Sequence, residues 1–128
     1  MRSKILLLLP FWVIMVVTLA CTRTTSYIEA QNRRAAAEIG ANEELAAPVL
    51  SAIERYEEDH GHLPAELTSI LPTYLSAIPK TVTGEDFRYH VDDMDHYYLC
   101  VDVLSKPSVG CCYYGRLESW DCSMKAVH

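Results

Sequence analysis

Four of the five cysteines lie close together near the C terminus, where thiols could form disulfides, a redox pair or a metal site. Cys111 and Cys112 are adjacent, so a bond between them would be strained. Cys100 lies on the opposing strand of a predicted hairpin, and Cys122 follows near the end of the chain. Because the spacings include no C-x-x-C motif, we predict structural disulfides rather than a redox pair or a thiolate metal site.

Two disulfide pairings fit these positions, because neighbouring residues of a strand point to opposite faces of the sheet. The first pairing joins Cys100 to Cys112 and Cys111 to Cys122. The second joins Cys100 to Cys111 and Cys112 to Cys122. In both, one bridge fastens the hairpin and the other holds the C-terminal segment, and we prefer the first.

The histidines are a second group that could do chemistry, by binding zinc or copper. His60 and His62 flank Gly61, while His90 and His96 flank an acidic turn. No H-E-x-x-H or comparable ligand spacing accompanies them. We therefore interpret them as exposed turn residues, and we predict no metal site and no cofactor.

The acidic turn itself, Asp92, Asp93 and Asp95, could supply oxygen ligands to calcium. It lacks the ligand order and the closing glutamate of an EF-hand loop, so a solvated turn is the favoured interpretation. No sequence motif resembles a nucleophile elbow or a phosphate-binding glycine loop. We predict that the protein has no catalytic residues and is not an enzyme.

Tyrosines crowd the predicted hairpin and could form a contact surface. One face of a small sheet packs on a helix, so some of these rings must point outward. Cross-strand packing is one explanation for them, and an aromatic surface for a protein or glycan partner is the other. The candidate surface residues are Tyr97, Tyr98, Tyr113 and Tyr114.

Apolar spacing predicts the elements that carry these groups. One helical face recurs at intervals of three and four residues, with Pro48 at a first turn or a kink and Gly61 as the stop. A shorter helical pattern follows, which Pro72 divides into two short turns. The main face consists of Leu45, Val49, Ala52, Ile53 and Tyr56, and the shorter pattern of Leu67, Ile70, Leu71, Tyr74, Leu75 and Ile78.

The period then changes to two, which is typical of strands. Strands are predicted at 87–91, 97–104 and 109–114, with a last extended piece around Trp120 and Cys122. The predicted fold class is therefore α+β: an N-terminal helix packed on a small antiparallel sheet and stapled by disulfides.

The N terminus has the pattern of an export signal. Arg2 and Lys4 precede the uncharged run Ile5–Ala20, and Cys21 directly follows the small residue Ala20. As a helix that run spans about 24 Å, less than the roughly 30 Å of a hydrocarbon core. We predict that residues 1–20 are a cleaved signal peptide; the alternative is an uncleaved inner-membrane anchor.

A cysteine at this position resembles the lipobox of bacterial lipoproteins, in which that thiol carries the lipid. The resemblance implies lipidation of Cys21 and a cell-envelope location facing the periplasm or the exterior. Thr22 in place of an aspartate is similar to the signal for outer-membrane sorting. With Cys21 lipidated, an even number of cysteines remains for two disulfides in an oxidising compartment.

Composition sets the remaining organisation. Residues 21–46 are rich in Thr and then in helix formers with a thin apolar stripe, which predicts a tether and an exposed helical stalk. Residues 47–123 are the predicted globular domain and residues 124–128 a tail. The net charge of −6 argues against nucleic acid as a partner.

The stretch Ala47–Val103 resembles the globular part of type IV pilin-like proteins, most closely the type II secretion pseudopilins. The shared pattern is a helix ending in Tyr and Gly, a step with Pro, a short Leu-rich helix, an Ile-Pro turn and aromatic strands. The resemblance implies a long helix on a small antiparallel sheet, and a role in assemblies. Its residues are Ile53–Gly61, His62–Pro64, Leu67, Leu71, Tyr74, Leu75, Ile78, Pro79, Phe87, Tyr89, Tyr98 and Leu99.

The chain also departs from that family. Pilins enter fibres through a processed apolar helix with Phe at the cut and Glu at the fifth position, and nothing in Ile5–Ala20 matches this. We therefore expect a non-enzymatic, lipid-anchored envelope protein that contacts an unidentified envelope protein through a pilin-like domain. The alternatives are a ligand- or metal-binding lipoprotein and a minor subunit of a secretion or pilus machine.

Overall fold

The computed structural model describes residues 5–122, with side chains from residue 25 onward. Residues 1–4, the predicted tail at 124–128 and the Cys21 side chain, which is predicted to be lipidated, lie outside these described parts, and cleavage of residues 1–20 stays a prediction. The chain forms two compact units, Met1–Arg34 and Ala35–His128. The elements are α1 (Ile5–His60), a 3-10 helix (Leu67–Ile70), β1 (Arg88–Val91), β2 (Tyr97–Asp102), β3 (Gly110–Tyr114) and β4 (Ser119–Asp121).

The first unit consists of the N-terminal part of α1. The helix includes residues 22–26, which the sequence analysis assigned to a tether. Tyr27 and Ile28 are exposed there, with 70% and 54% of their surfaces accessible. Along the described part of the chain, no helical stretch combines the length and the apolar character needed to cross a membrane.

The second unit confirms the predicted α+β fold class. Its four strands form one antiparallel sheet in the order β1-β2-β3-β4, so each strand pairs with its neighbour in sequence. The helix packs with this sheet around one core. The predicted helical face supplies three fully buried residues, Val49, Ala52 and Ile53, while Leu45 and Tyr56 are partly buried.

The core extends further toward the N terminus than the predicted boundary at residue 47. Ala35, Asn42 and Ala46 are buried along the same helix. These residues are small or polar, so a search for large apolar side chains does not detect the stripe. The Asn42 amide oxygen accepts a hydrogen bond from the Val82 N–H at 2.9 Å, which ties the helix to the loop before β1.

Pro48 neither starts a new helix nor ends one, because α1 continues through it to His60. Pro48 lies on the exposed side of the helix. The helix ends where Gly61 adopts a positive φ of 72°, and the Gly61 N–H still donates to the Glu57 carbonyl at 2.8 Å. This is the left-handed stop that the sequence predicts.

The Leu-rich segment after the helix forms two short turns, as its interrupted pattern predicts. The first is the 3-10 helix Leu67–Ile70. The second is closed by the Tyr74 N–H, which donates to the Ile70 carbonyl at 3.0 Å. Leu67 and Ile70 are both buried, so the segment covers one part of the core.

Candidate contact surface

The two disulfides lie on opposite faces of the sheet. The structure pairs Cys100 with Cys112 and Cys111 with Cys122, the first of the two pairings considered above. The first bond joins directly opposed residues of β2 and β3, and the second joins β3 to the residue that directly follows β4, with Cα separations of 4.1 and 3.9 Å. Such short separations are typical of pairs that do not exchange backbone hydrogen bonds.

The four tyrosines divide between the same two faces. Tyr97 and Tyr113 are buried, with 6% and 9% of their surfaces accessible, and they pack in the core. The prediction that they form a contact surface is therefore wrong for these two residues. Burial also raises the pKa of the Tyr97 phenol. Tyr98 and Tyr114 lie on the outer face and stay half-buried, so they remain candidates.

The outer face carries a row of rings across three strands. The sheet register sets His90 opposite Tyr98 and Tyr98 opposite Tyr114. The centroids of the His90 and Tyr98 rings are 6.3 Å apart, and those of Tyr98 and Tyr114 are 5.1 Å apart in a T-shaped arrangement. Contacts of this kind orient the rings, of which Tyr98 and Tyr114 are half-buried and His90 is exposed.

The loop between β1 and β2 is organised by a single carboxylate. Asp92 Oδ1 accepts from the N–H groups of Met94 and His96 at 2.9 and 3.0 Å. Its Oδ2 accepts from the Tyr98 hydroxyl at 2.8 Å and contacts His96 Nδ1 at 3.3 Å. The His96 N–H, followed by the Tyr98 hydroxyl and the Met94 N–H, lowers the pKa of Asp92 to about 2. The acidic turn is thus held by its own hydrogen bonds.

A groove of about 310 Å³ opens at this end of the sheet. Exposed apolar groups border it, since Met94 and Leu117 are 71% and 67% accessible. We call it the outer-face groove, and its lining includes Met94, Tyr98, Tyr114, Arg116 and Leu117.

Arg116 supplies a positive charge to the outer-face groove. Its side chain is exposed and lies close enough to Tyr98 to act on that phenol electrostatically. Among the described residues, no hydrogen bond or ion pair involves its guanidinium group. An apolar rim beside an unpaired guanidinium is suited to a polypeptide segment that carries a carboxylate.

Gly115 shapes the floor of this region by allowing a close approach. A Cβ atom at this position would lie 2.2 Å from Cε1 of Tyr97 and 2.4 Å from its Cδ1. The Gly115 N–H donates to the Tyr97 carbonyl at 3.0 Å, which holds the backbone against that ring. Only glycine fits here without displacing the buried Tyr97 side chain.

The predicted histidine turn is a surface cluster of rings. His60 stacks on Tyr56 with centroids 4.1 Å apart, and His62 meets the edge of Tyr56 at 5.8 Å. The Tyr74 hydroxyl donates to Asp59 at 2.7 Å. Within the part of the chain that the structure describes, no group of three or more His, Cys, Asp or Glu residues is placed to hold a metal ion.

Two further polar contacts fix the sheet around these features. The Arg88 guanidinium donates through two nitrogens to both carboxylate oxygens of Asp102, and this raises the pKa of Arg88. Glu38 on α1 accepts from the N–H groups of Leu104 and Ser105 at 2.7 and 3.0 Å. The helix therefore anchors the loop between β2 and β3.

Sequence reasoning did not single out Met94, Arg116 or Leu117. All three lie in turns, where no periodic pattern distinguishes an exposed apolar side chain from a buried one. Comparison of the chain with protein families, with curated proteins and with solved structures finds no match. The assignment of function therefore depends on the residues themselves.

Proposed function

We propose that this chain is a non-enzymatic, lipid-anchored protein of the cell envelope, and that its pilin-like domain acts by binding a partner protein. The observation that carries the proposal is the outer-face groove, in which exposed Met94 and Leu117 flank the half-buried Tyr98 and Tyr114. Large exposed apolar groups beside oriented aromatic rings are typical of protein contact sites.

The two disulfides support an extracytoplasmic location. Each closes a short loop of the sheet, with sequence separations of 12 and 11 residues. Disulfides of this structural kind persist in oxidising compartments and are rare in the cytosol. The basic, apolar and small-residue pattern before Cys21 agrees with that location.

Site-specific photocrosslinking tests the contact surface. The photoreactive residue benzoylphenylalanine is placed at Leu117 in the full chain, and at Leu104 as a matched control that is 52% accessible. We expect a discrete protein adduct in the cell envelope from position 117 and none from position 104. The same adduct from both positions, or none from either, contradicts a contact function for this groove.

Intact-mass analysis of the membrane-extracted protein tests the anchor separately. We expect residues 1–20 to be absent and Cys21 to carry acyl chains. The Cys21→Ser variant should remain unprocessed. A full-length, unacylated product argues for the alternative in which the apolar segment stays as the anchor.

A minor subunit of a secretion or pilus machine is the second candidate. It is favoured by the chain order, in which one helix, a 3-10 turn and an antiparallel sheet follow each other as the family resemblance implies. Co-purification of the protein with such a machine supports this candidate, and absence of the protein from the purified machine excludes it.

A further inference from the structure

The strand β1 forms an edge of the sheet, and its free side carries unpaired backbone groups. The Asp92 N–H donates to the His96 carbonyl at 2.9 Å, which continues the ladder between β1 and β2. Hydrogen-bonded pairs alternate along an antiparallel ladder, so His90 and Arg88 also bond to β2. Tyr89 and Val91 therefore direct their N–H and C=O groups away from β2.

The described residues leave that edge without a backbone partner. Apart from the pairing of β1 with β2, no backbone hydrogen bond within the described residues uses the main-chain groups of Tyr89 or Val91. Side chains nevertheless hold the strand in place, since the half-buried Tyr89 donates its hydroxyl to the Pro64 carbonyl at 2.9 Å. An ordered strand with free donors and acceptors is a template for pairing with another strand.

We propose that β1 pairs with β1 of a second copy of this chain, antiparallel and centred on His90. In this register Tyr89 faces Val91 of the second copy, and the two pairs exchange four N–H to C=O hydrogen bonds. Each pair sets an aromatic ring beside a β-branched side chain, a favourable combination across strands. The two sheets join into one continuous sheet.

Charge complementarity favours this partner and this register. Arg88 of one copy, which also donates to Asp102 of its own chain, stands opposite Asp92 of the other on the outer face. Asp92 in turn also accepts from Tyr98 and His96 of its own chain, and the two-fold symmetry creates the opposed pair twice. Oppositely charged residues that face each other across strands stabilise the pairing. If the second copy shifts by two residues so that Arg88 faces its His90, the pairing of Arg88 with Asp92 is lost.

Disulfide crosslinking at the symmetry axis tests the proposal. Because residues 89 and 91 exchange the hydrogen bonds, His90 faces His90 of the second copy as a non-hydrogen-bonded pair. The Cα atoms of such a pair approach to about 4.5 Å. His90→Cys is compared with Ser119→Cys, a change at an exposed residue of β4 on the other edge of the sheet. Full-length protein is oxidised in the membranes of the expressing cells and analysed without reductant.

We expect a covalent dimer linked through position 90 from His90→Cys and no dimer from Ser119→Cys. No dimer from His90→Cys, or equal dimer from both variants, overturns the proposal. An adduct of position 90 with a different protein also overturns it, because the edge then serves another partner.

A second pair of variants separates backbone pairing from loss of a side chain. The Val91 N–H is not used by β2, so Val91→Pro removes an outward donor and leaves the intramolecular ladder. Val91→Ala shortens the same side chain and keeps the donor. In the His90→Cys background we expect loss of the dimer with Val91→Pro and its retention with Val91→Ala. Equal dimer from the two variants argues against strand pairing.

Discussion

The two faces of the sheet are built from adjacent residues of the same types, yet they have opposite environments. Tyr97 and Tyr113 are buried against the helix, whereas Tyr98 and Tyr114, one position further along, face outward. The cysteines divide in the same way, since Cys111 is bonded to Cys122 and Cys112 to Cys100. The inner tyrosines and Cys111 form part of the core, whereas the outer Tyr98 and Tyr114 stay half-buried; Cys112 is covered although it lies on the outer face.

This difference shows that residue type alone does not assign a tyrosine or a cysteine to core or surface. Successive side chains of a strand point to opposite faces, so a doublet always contributes one member to each. The register of strand pairing decides which member faces the core. A one-residue slip would turn every side chain of the strand to the opposite face. The stability of the two faces can therefore be compared with closely matched substitutions.

Truncation of the two neighbouring tyrosines should give the largest contrast. Tyr97→Ala removes a buried ring from the core and should lower the free energy of unfolding by about 3–5 kcal/mol. Tyr98→Ala removes an outer ring and its bond to Asp92 and should cost about 1 kcal/mol. Denaturant unfolding of both variants measures the difference. Equal costs would mean that the two faces are not distinct in packing.

Removal of each disulfide should sharpen the comparison. Because the sequence separations are nearly equal, each bond should stabilise the fold by a similar amount through its constraint on the unfolded chain, about 3 kcal/mol. Replacing Cys111 and Cys122 with alanine also leaves a space in the core, where Cys111 is 1% accessible. Chemical unfolding should therefore show a larger cost for this pair than for alanine at Cys100 and Cys112. A larger cost on the outer face would contradict the division.

The fold could be predicted from the sequence wherever periodicity was strong. Helical spacing identified Val49 and Ile53, and alternation identified the strands. The disulfide pairing stayed ambiguous because Cys111 and Cys112 are adjacent, and the turn between β2 and β3 sets which one faces Cys100. The N-terminal limit of the core was missed because alanines and Asn42 give little apolar signal.

The candidate contact surface was only partly predictable. A strand pattern indicates that half of a set of tyrosines must face outward, but not which half without the register. Met94 and Leu117 come together with Tyr98 through two turns that are distant in sequence. The free backbone groups of β1 could not be predicted either. They follow from the alternation of hydrogen bonds with β2, and no residue pattern in a single sequence indicates that alternation.

Gly115 tests how closely the inner face is packed. The Gly115→Ala methyl group would overlap the Tyr97 ring, so we expect a loss of about 1–3 kcal/mol in the free energy of unfolding. Gly40→Ala is the control, because nothing lies within 4 Å of a Cβ there. That change in a helix should instead stabilise the protein by about 1 kcal/mol. Opposite signs in thermal unfolding are the expected result, and a neutral Gly115→Ala would show that Tyr97 can move.

The pH dependence of Asp92 tests the polar support of the outer face, and we expect it to be the smallest effect. The hydrogen bond from the His96 N–H is the main cause that lowers the pKa of Asp92 from 3.8 to about 2. A carboxyl whose pKa is lower in the folded state stabilises the fold once it is ionised in both states. Its contribution is thus fully present above about pH 4 and is lost as the pH falls toward 2.

Asp92→Asn isolates this contribution, because the amide keeps the shape of the side chain but does not ionise. The melting temperature of the native chain should exceed that of Asp92→Asn above pH 4, and the gap should close between pH 4 and 2. Asp93→Asn is the control, since Asp93 is exposed in the same loop. A gap that does not depend on pH would mean that the charge of Asp92, whose carboxylate accepts from the Tyr98 hydroxyl, does not stabilise the fold.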